Sequence, residues 1–187
     1  MPSPPSGRAG AGRDDPLLGE VVVSAGEIER RVDELARQIT ADYAGRSLLL
    51  VGVLKGAFVF LADLIRRIDL DVEVDFMAVS SYGAATRTSG VVRILQDLDI
   101  PLEGRDVILV EDIADSGLTL RYLRKVLLAR RPASLEICTL LVRQEVPELE
   151  RLITYAGFRI PAGWVVGYGL DVDQRYRNLL DIVAYGG

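Results

Sequence analysis

The run Val107-Ile108-Leu109-Val110-Glu111-Asp112-Ile113-Ala114-Asp115-Ser116-Gly117-Leu118-Thr119 constrains this chain more than any other part of it. Its four leading apolar residues, two Val, one Ile and one Leu, predict a buried strand. Two adjacent carboxylates, Glu111 and Asp112, are expected to end that strand, and a small Asp-Ser-Gly-Leu-Thr turn follows. From Leu120 apolar residues return at Leu123, Val126 and Leu127, the spacing of a helix face. A strand, a tight turn and a helix start together make a cradle for a phosphate. The N–H groups of the first helical turn point at the ligand, the helix dipole favours an anion, and Gly117 lets the backbone come close. Two carboxylates beside an anion would repel it. Their presence implies hydroxyl groups to be bonded, a divalent cation to be held, or both. A sugar phosphate, gripped by its phosphate and its diol, meets all of these demands.

The rest of the chain supplies a scaffold for such a cradle. Ile28, Val32, Leu35, Ala36 and Ile39 lie on one helical face over residues 27–43, with Ser24 and Glu27 as a capping box ahead of it. Leu48 to Leu54 is a continuous apolar run, as expected of a strand covered on both sides. A helix from about Phe58 to Ile68 and strands over Val72–Ser81, Val91–Leu95 and Leu135–Val142 complete the alternation. Strands alternating with helices predict an α/β domain with a mostly parallel twisted sheet. Residues 143–187 carry short apolar pieces and many turn residues, and read as a small cap.

Composition narrows the chemistry. The chain has no histidine, which removes Ser-His-Asp triads, Cys-His pairs and His-bearing zinc sites. Proton transfer must fall to a carboxylate, Lys, Tyr or water. A net charge of −5 argues against a general nucleic-acid partner. The apolar runs are short and broken by charges, so no membrane span is expected. Cys138 is the sole cysteine and sits in an apolar run, which excludes a disulfide framework and suggests a cytoplasmic location. Residues 1–16 are rich in Pro, Gly and Ser and read as a disordered tail, leaving residues 17–187 as one domain.

Glu111-Asp112-Ile113-Ala114-Asp115-Ser116-Gly117-Leu118-Thr119 resembles the phosphoribosyl-pyrophosphate (PRPP) loop of type I phosphoribosyltransferases. Four motifs in the right order, between about residues 17 and 185, resemble the hypoxanthine-guanine branch of that family. The resemblance implies its fold, a mostly parallel sheet flanked by helices under a small hood, with part of the hood from 143–187. It also implies transfer of the 5-phosphoribosyl group to a 6-oxopurine, with Mg²⁺ as cofactor, by a dimer or tetramer. Asp115 would face N7 of the purine as general base, although Asp is also a good helix N-cap. Glu111 and Asp112 would bond the ribose hydroxyls directly or through Mg²⁺. Ser116, Gly117, Leu118 and Thr119 would hold the 5′-phosphate. Leu54-Lys55-Gly56 matches the pyrophosphate turn, with a peptide bond before the lysine that can be cis, and Arg177 matches a second pyrophosphate contact. Ser81 and Tyr82 open a polar stretch to Gly90 that resembles a loop closing over the reacting centre. Within Trp164-Val165-Val166-Gly167-Tyr168-Gly169-Leu170-Asp171, Trp164 would stack on the purine, Val165 would read its edge and Asp171 would help hold Mg²⁺.

The pattern breaks at Arg143, where the family carries a lysine that reads the purine 6-oxo group, and at the neighbouring prolines, displaced here to Pro147. Arg143 either donates to that oxygen or pairs with Asp115, and guanidinium and ammonium are not interchangeable in a fitted pocket. Two other readings stay open from sequence. One is a PRPP- or nucleotide-sensing regulator on the same fold; the other is transfer to a different base such as xanthine.

Overall fold

The computed structural model describes residues 15–82, 91–144, 146, 149 and 151–186. Its strands are β1 (Leu18–Val23), β2 (Leu48–Leu54), β3 (Val72–Tyr82), β4 (Val91–Gln96), β5 (Asp106–Ala114), β6 (Ser134–Arg143), β7 (Tyr155–Ile160), β8 (Trp164–Val166) and β9 (Ile182–Tyr185). Its α-helices are α1 (Ala25–Asp42), α2 (Phe58–Ile65) and α3 (Leu118–Leu128). Six strands form the main sheet in the order β4-β3-β2-β5-β6-β7, parallel except for the β3–β4 pair. The expected mostly parallel α/β architecture is present.

β2 is apolar almost throughout because helices cover both of its faces. Leu48 and Leu50 pack with Ile28, Leu35, Phe60 and Leu64 of α1 and α2. Leu49, Val51 and Val53 share the opposite layer with Leu120, Leu123 and Leu127 of α3. Each such leucine, withdrawn fully from water, contributes about 1.5–3 kcal/mol to the collapsed state. The predicted capping box is formed: the Ser24 N–H donates to Glu27 Oε2 at 2.9 Å, and the Ser24 hydroxyl oxygen accepts from the Glu27 N–H at 3.4 Å.

Several boundaries differ from expectation. β5 does not stop at Glu111 and Asp112 but runs on to Ala114, because Ile113 and Ala114 still find ladder partners in Leu141 and Val142 of β6. A neighbouring strand thus overrides the local preference of charged residues against strand structure. α3 begins at Leu118, two residues earlier than its apolar spacing suggested, and α2 ends at Ile65 rather than Ile68. Tyr155–Ile160 joins the main sheet beside β6, so only residues from Pro161 onward follow the last strand of that sheet.

The hood is a small antiparallel sheet in the order β1-β9-β8. Its inner residues Leu170, Tyr168 and Ile182 join the α1–α2 side of the core. Asp181 Oδ1 accepts from the Ala25 N–H at 2.7 Å, tying the hood to the start of α1. Of the proposed tail, residues 1–14 lie outside the described residues. Asp15 does not: its carboxylate accepts from the Leu17 N–H and from the Tyr176 hydroxyl.

Candidate active site

The chain leaves β2 for α2 and β3 on one side of the sheet centre, and leaves β5 for α3 and β6 on the other. A crevice therefore opens between the carboxyl ends of these two adjacent strands, the place where open α/β sheets bind ligands. The Leu54–Lys55 peptide at the end of β2 is cis, as the resemblance implied it could be. Gly56 follows, and a Cβ there would lie 1.5 Å from Asp112 Oδ2. Only glycine lets the carboxylate of β5 come against the turn after β2. The hood closes on the same point, since a Cβ at Gly169 would lie 2.3 Å from the Gly56 carbonyl oxygen.

The turn from β5 to α3 has the geometry of a phosphate cradle. Gly117 takes a left-handed conformation at φ +73°, and a Cβ on it would lie 2.5 Å from a Leu149 methyl carbon. The first helical bond of α3 runs from the Arg121 N–H to the Gly117 carbonyl at 2.9 Å. The amides of Leu118, Thr119 and Leu120 precede it and have no partner within the helix. That of Leu118 reaches the Ser116 hydroxyl at 3.4 Å. Arg121 Nη2 donates to the Ser116 carbonyl at 2.7 Å and pins the turn from behind.

A cavity of about 830 Å³ lies above the turn, within the size range of small-molecule sites. Asp112, Asp115 and Ser116 line it from the β5–α3 turn, Arg143 from the end of β6, and Trp164, Val165 and Asp171 from the hood. Trp164 is 69% exposed, a large aromatic face turned to solvent. Arg143 departs most from a simple lysine substitute. Its Nε donates to Asp115 Oδ1 at 3.0 Å, while Nη1 and Nη2 each donate at 2.5 Å, to the Pro161 and Gly163 carbonyls. The pairing with Asp115, one of the two sequence alternatives, is thus present.

Lys55 and Arg177 do not line the cavity, but meet beside it through Gln174. Lys55 Nζ donates to Gln174 Oε1 at 3.0 Å, and Arg177 Nη2 to the same oxygen at 3.2 Å. Arg177 also donates to the Gly169 carbonyl at 2.7 Å and pairs with Asp171 at 2.8 Å. Asp171 Oδ2 accepts from the Gln174 N–H at 2.8 Å. Nothing in the sequence pointed to Gln174, because its role depends on Asp173, Gln174 and Tyr176 all taking positive φ. The same holds for the Pro161 and Gly163 carbonyls, which carry no side-chain signature. Leu118 and Thr119 stand in the first turn of α3, and Ser81 and Tyr82 are the last two residues of β3. Gly83–Gly90, Glu145 and Pro147 lie outside the described residues.

The carboxylates are electrostatically distinct. Burial pushes the Asp112 carboxyl up to about 6, with nearby Asp171 adding to the rise and Arg177 opposing it. Glu111 is 7% exposed and does not line the cavity; burial, then the charge of Asp112, raises its pKa well above the usual carboxylate range. Among the described residues, no group of three or more His, Cys, Asp or Glu side chains could cage a metal. The donors that face the cavity, Asp112 and Asp171, instead suit an ion like Mg²⁺, which binds through one or two carboxylates and takes its other oxygens from water and substrate.

Residues 22–173 match the phosphoribosyl transferase domain family. The chain is 51% identical over 168 residues to a hypoxanthine-guanine phosphoribosyltransferase of Mycobacterium tuberculosis, covering 87% of this chain and 83% of that protein. It is 48% identical over 162 residues to one from Bacillus subtilis, covering 87% and 90%. The fold superposes on the crystal structure of a hypoxanthine-guanine phosphoribosyltransferase from Bacillus anthracis with a TM-score of 0.84, at 44% identity over 89% of this chain and 98% of that one. The switch-point crevice, the glycine-capped cradle and these relatives lead to one conclusion: the chain belongs to the hypoxanthine-guanine phosphoribosyltransferase family.

Proposed function

We propose that this protein transfers the 5-phosphoribosyl group of PRPP to a 6-oxopurine, hypoxanthine with guanine as a second candidate, releasing pyrophosphate in purine salvage. The observation that carries this reading is the single cavity wall-to-wall arrangement of a phosphate cradle, a carboxylate and an exposed aromatic face. The 5′-phosphate sits on Ser116, Gly117, Leu118 and Thr119, through main-chain N–H groups and two hydroxyls. Glu111 and Asp112 bond the ribose hydroxyls. Lys55, the Gly56 turn and Arg177 hold the pyrophosphate, with Gln174 fixing the two cations relative to each other.

The purine stacks on Trp164, its edge read at Val165 and its 6-oxo group by Arg143. A guanidinium has five N–H donors. Three of those on Arg143 are engaged, which leaves two for the substrate. The purine N9 forms the bond to C1′, the bond from C1′ to pyrophosphate breaks, and pyrophosphate departs with the electron pair. The N7 proton passes to Asp115. A carboxylate has two oxygens, so Asp115 accepts that proton on one while Arg143 remains on the other. Asp112 and Asp171 would hold Mg²⁺, which would supply neutralisation of the pyrophosphate charge. Positioning of two substrates in line supplies most of the acceleration.

The lone buried cysteine supports a cytoplasmic location, and the family supports assembly into dimers or tetramers, checked by sedimentation. Residues 17–187 form the catalytic domain. A spectrophotometric screen with PRPP and Mg²⁺ against hypoxanthine, guanine, xanthine, adenine and uracil tests the assignment. Turnover with hypoxanthine or guanine is expected. Turnover with xanthine, adenine or uracil alone overturns the base assignment while keeping the PRPP site.

A further inference from the structure

Among the described residues, two polar side chains are buried in the interior, Glu111 at 7% exposure and Thr139 at 0%. They are register partners on the adjacent parallel strands β5 and β6. Residues paired in this way project from the same face of a sheet, so the two side chains stand next to each other. That face also carries Leu109 and Ile137, beneath α3. The Thr139 hydroxyl is enclosed and has no hydrogen-bond partner. Buried hydroxyls are almost always bonded, so an orphan of this kind calls for a role. A valine of nearly the same shape would fill the position without that cost.

Glu111 has the complementary need. An ionised carboxylate accepts about four hydrogen bonds, and the main-chain N–H of Asp112 supplies only one. One residue further along β5, Asp112 lines the substrate cavity. Glu111, the residue before it, stands beside the Thr139 hydroxyl on the face that carries Leu109 and Ile137.

We infer that Thr139 is a positioning residue for Glu111: on PRPP binding its hydroxyl donates to the Glu111 carboxylate and aims the other oxygen at the ribose hydroxyls. This inference rests on the ribose-facing role proposed above for Glu111. The orphaned hydroxyl is then half of a bond completed with substrate. Its cost falls on the free state, and its benefit appears only when PRPP is bound. No part of the phosphate cradle and no base-reading group is involved, so the effect is specific to one substrate.

Steady-state kinetics of Thr139→Val, Thr139→Ser, Glu111→Gln and the Thr139→Val/Glu111→Gln double variant test it, with thermal melting of each. Thr139→Val is expected to raise the KM for PRPP by about tenfold, the loss of one hydrogen bond to a charged group. The KM for hypoxanthine should stay unchanged and the melting temperature should hold or rise. Thr139→Ser, which keeps the hydroxyl, should restore the PRPP KM to within about twofold of the parent. In the Glu111→Gln background, Thr139→Val should have no further effect, because the residue acts through Glu111. An unchanged PRPP KM in Thr139→Val, when Glu111→Gln raises it, overturns the positioning role. So does an additive double variant, or an equal rise in both KM values with a lower melting temperature. An unchanged PRPP KM in Glu111→Gln overturns the ribose assignment of Glu111 itself, and this inference with it. Should Thr139→Val prove insoluble, Thr139→Ala carries the same measurements.

Discussion

The two walls of the cavity are built in opposite ways. The wall proposed for the phosphate is a single stretch of chain, Asp112 to Leu120, built on main-chain amides at the start of α3 and a left-handed Gly117. The base wall is gathered from separate segments: Arg143 from β6, Trp164 and Val165 from β8, and Asp171 from the turn beyond it. It is held by side chains reaching main-chain carbonyls, Arg143 to Pro161 and Gly163, and Arg177 to Gly169. A wall made of backbone tolerates changes of side chain and fails when the backbone cannot adopt its turn. A wall made of struts fails when one strut is cut. Asp115 stands where the two walls meet, on the cradle turn but bonded to Arg143.

Substitutions at the junction and then in each wall sharpen this contrast. Asp115→Asn should have the largest effect, lowering kcat by about 10²–10⁴-fold while the KM for PRPP changes little. Equal losses in both would mean that Asp115 serves the cradle and not proton transfer. Arg143→Ala should raise the KM for hypoxanthine by about 10–100-fold, because it removes charged hydrogen bonds and frees two hood carbonyls. Arg143→Lys, with one ammonium in place of a fork, should lie between Ala and the parent. If the hypoxanthine KM is the same in all three, the base wall does not depend on this strut.

Gly117→Ala tests the backbone wall. The strained φ and the contact with Leu149 should cost about 1–3 kcal/mol of stability and weaken PRPP more than hypoxanthine. Denaturant melts and the two KM values read this directly, and a uniform rise in both KM values would erase the distinction between the walls. Ser24→Ala, at the α1 cap outside the cavity, should have the smallest effect on catalysis. A loss of about 1 kcal/mol in stability with both KM values intact is expected. A change in either KM would show that the α1–hood contact at Ala25 and Asp181 reaches the site.

The same contrast explains what could be read before the fold was known. Local features survived into the structure: the apolar run of β2, the Ser24–Glu27 cap, the turn at Asp115–Gly117 and the cis bond before Lys55. Each depends on interactions within a few residues, or on a resemblance carried by a short motif. What escaped depends on neighbours. β5 extends through Glu111 and Asp112 only because β6 offers partners, and Tyr155–Ile160 is a strand of the main sheet for the same reason.

The sequence by itself determined an α/β chain with a glycine-bearing turn between a strand and a helix, carboxylates on and before that turn and no histidine chemistry, because residue type and spacing dictate those. Tertiary structure alone decided the rest. Arg143 spends three donors on Asp115, Pro161 and Gly163, Gln174 joins Lys55 to Arg177, and Gly56 admits the Asp112 carboxylate. These are distances between segments far apart in the chain. No local preference encodes them, since a side chain's partners are set by which strands and turns the whole sheet brings to one crevice.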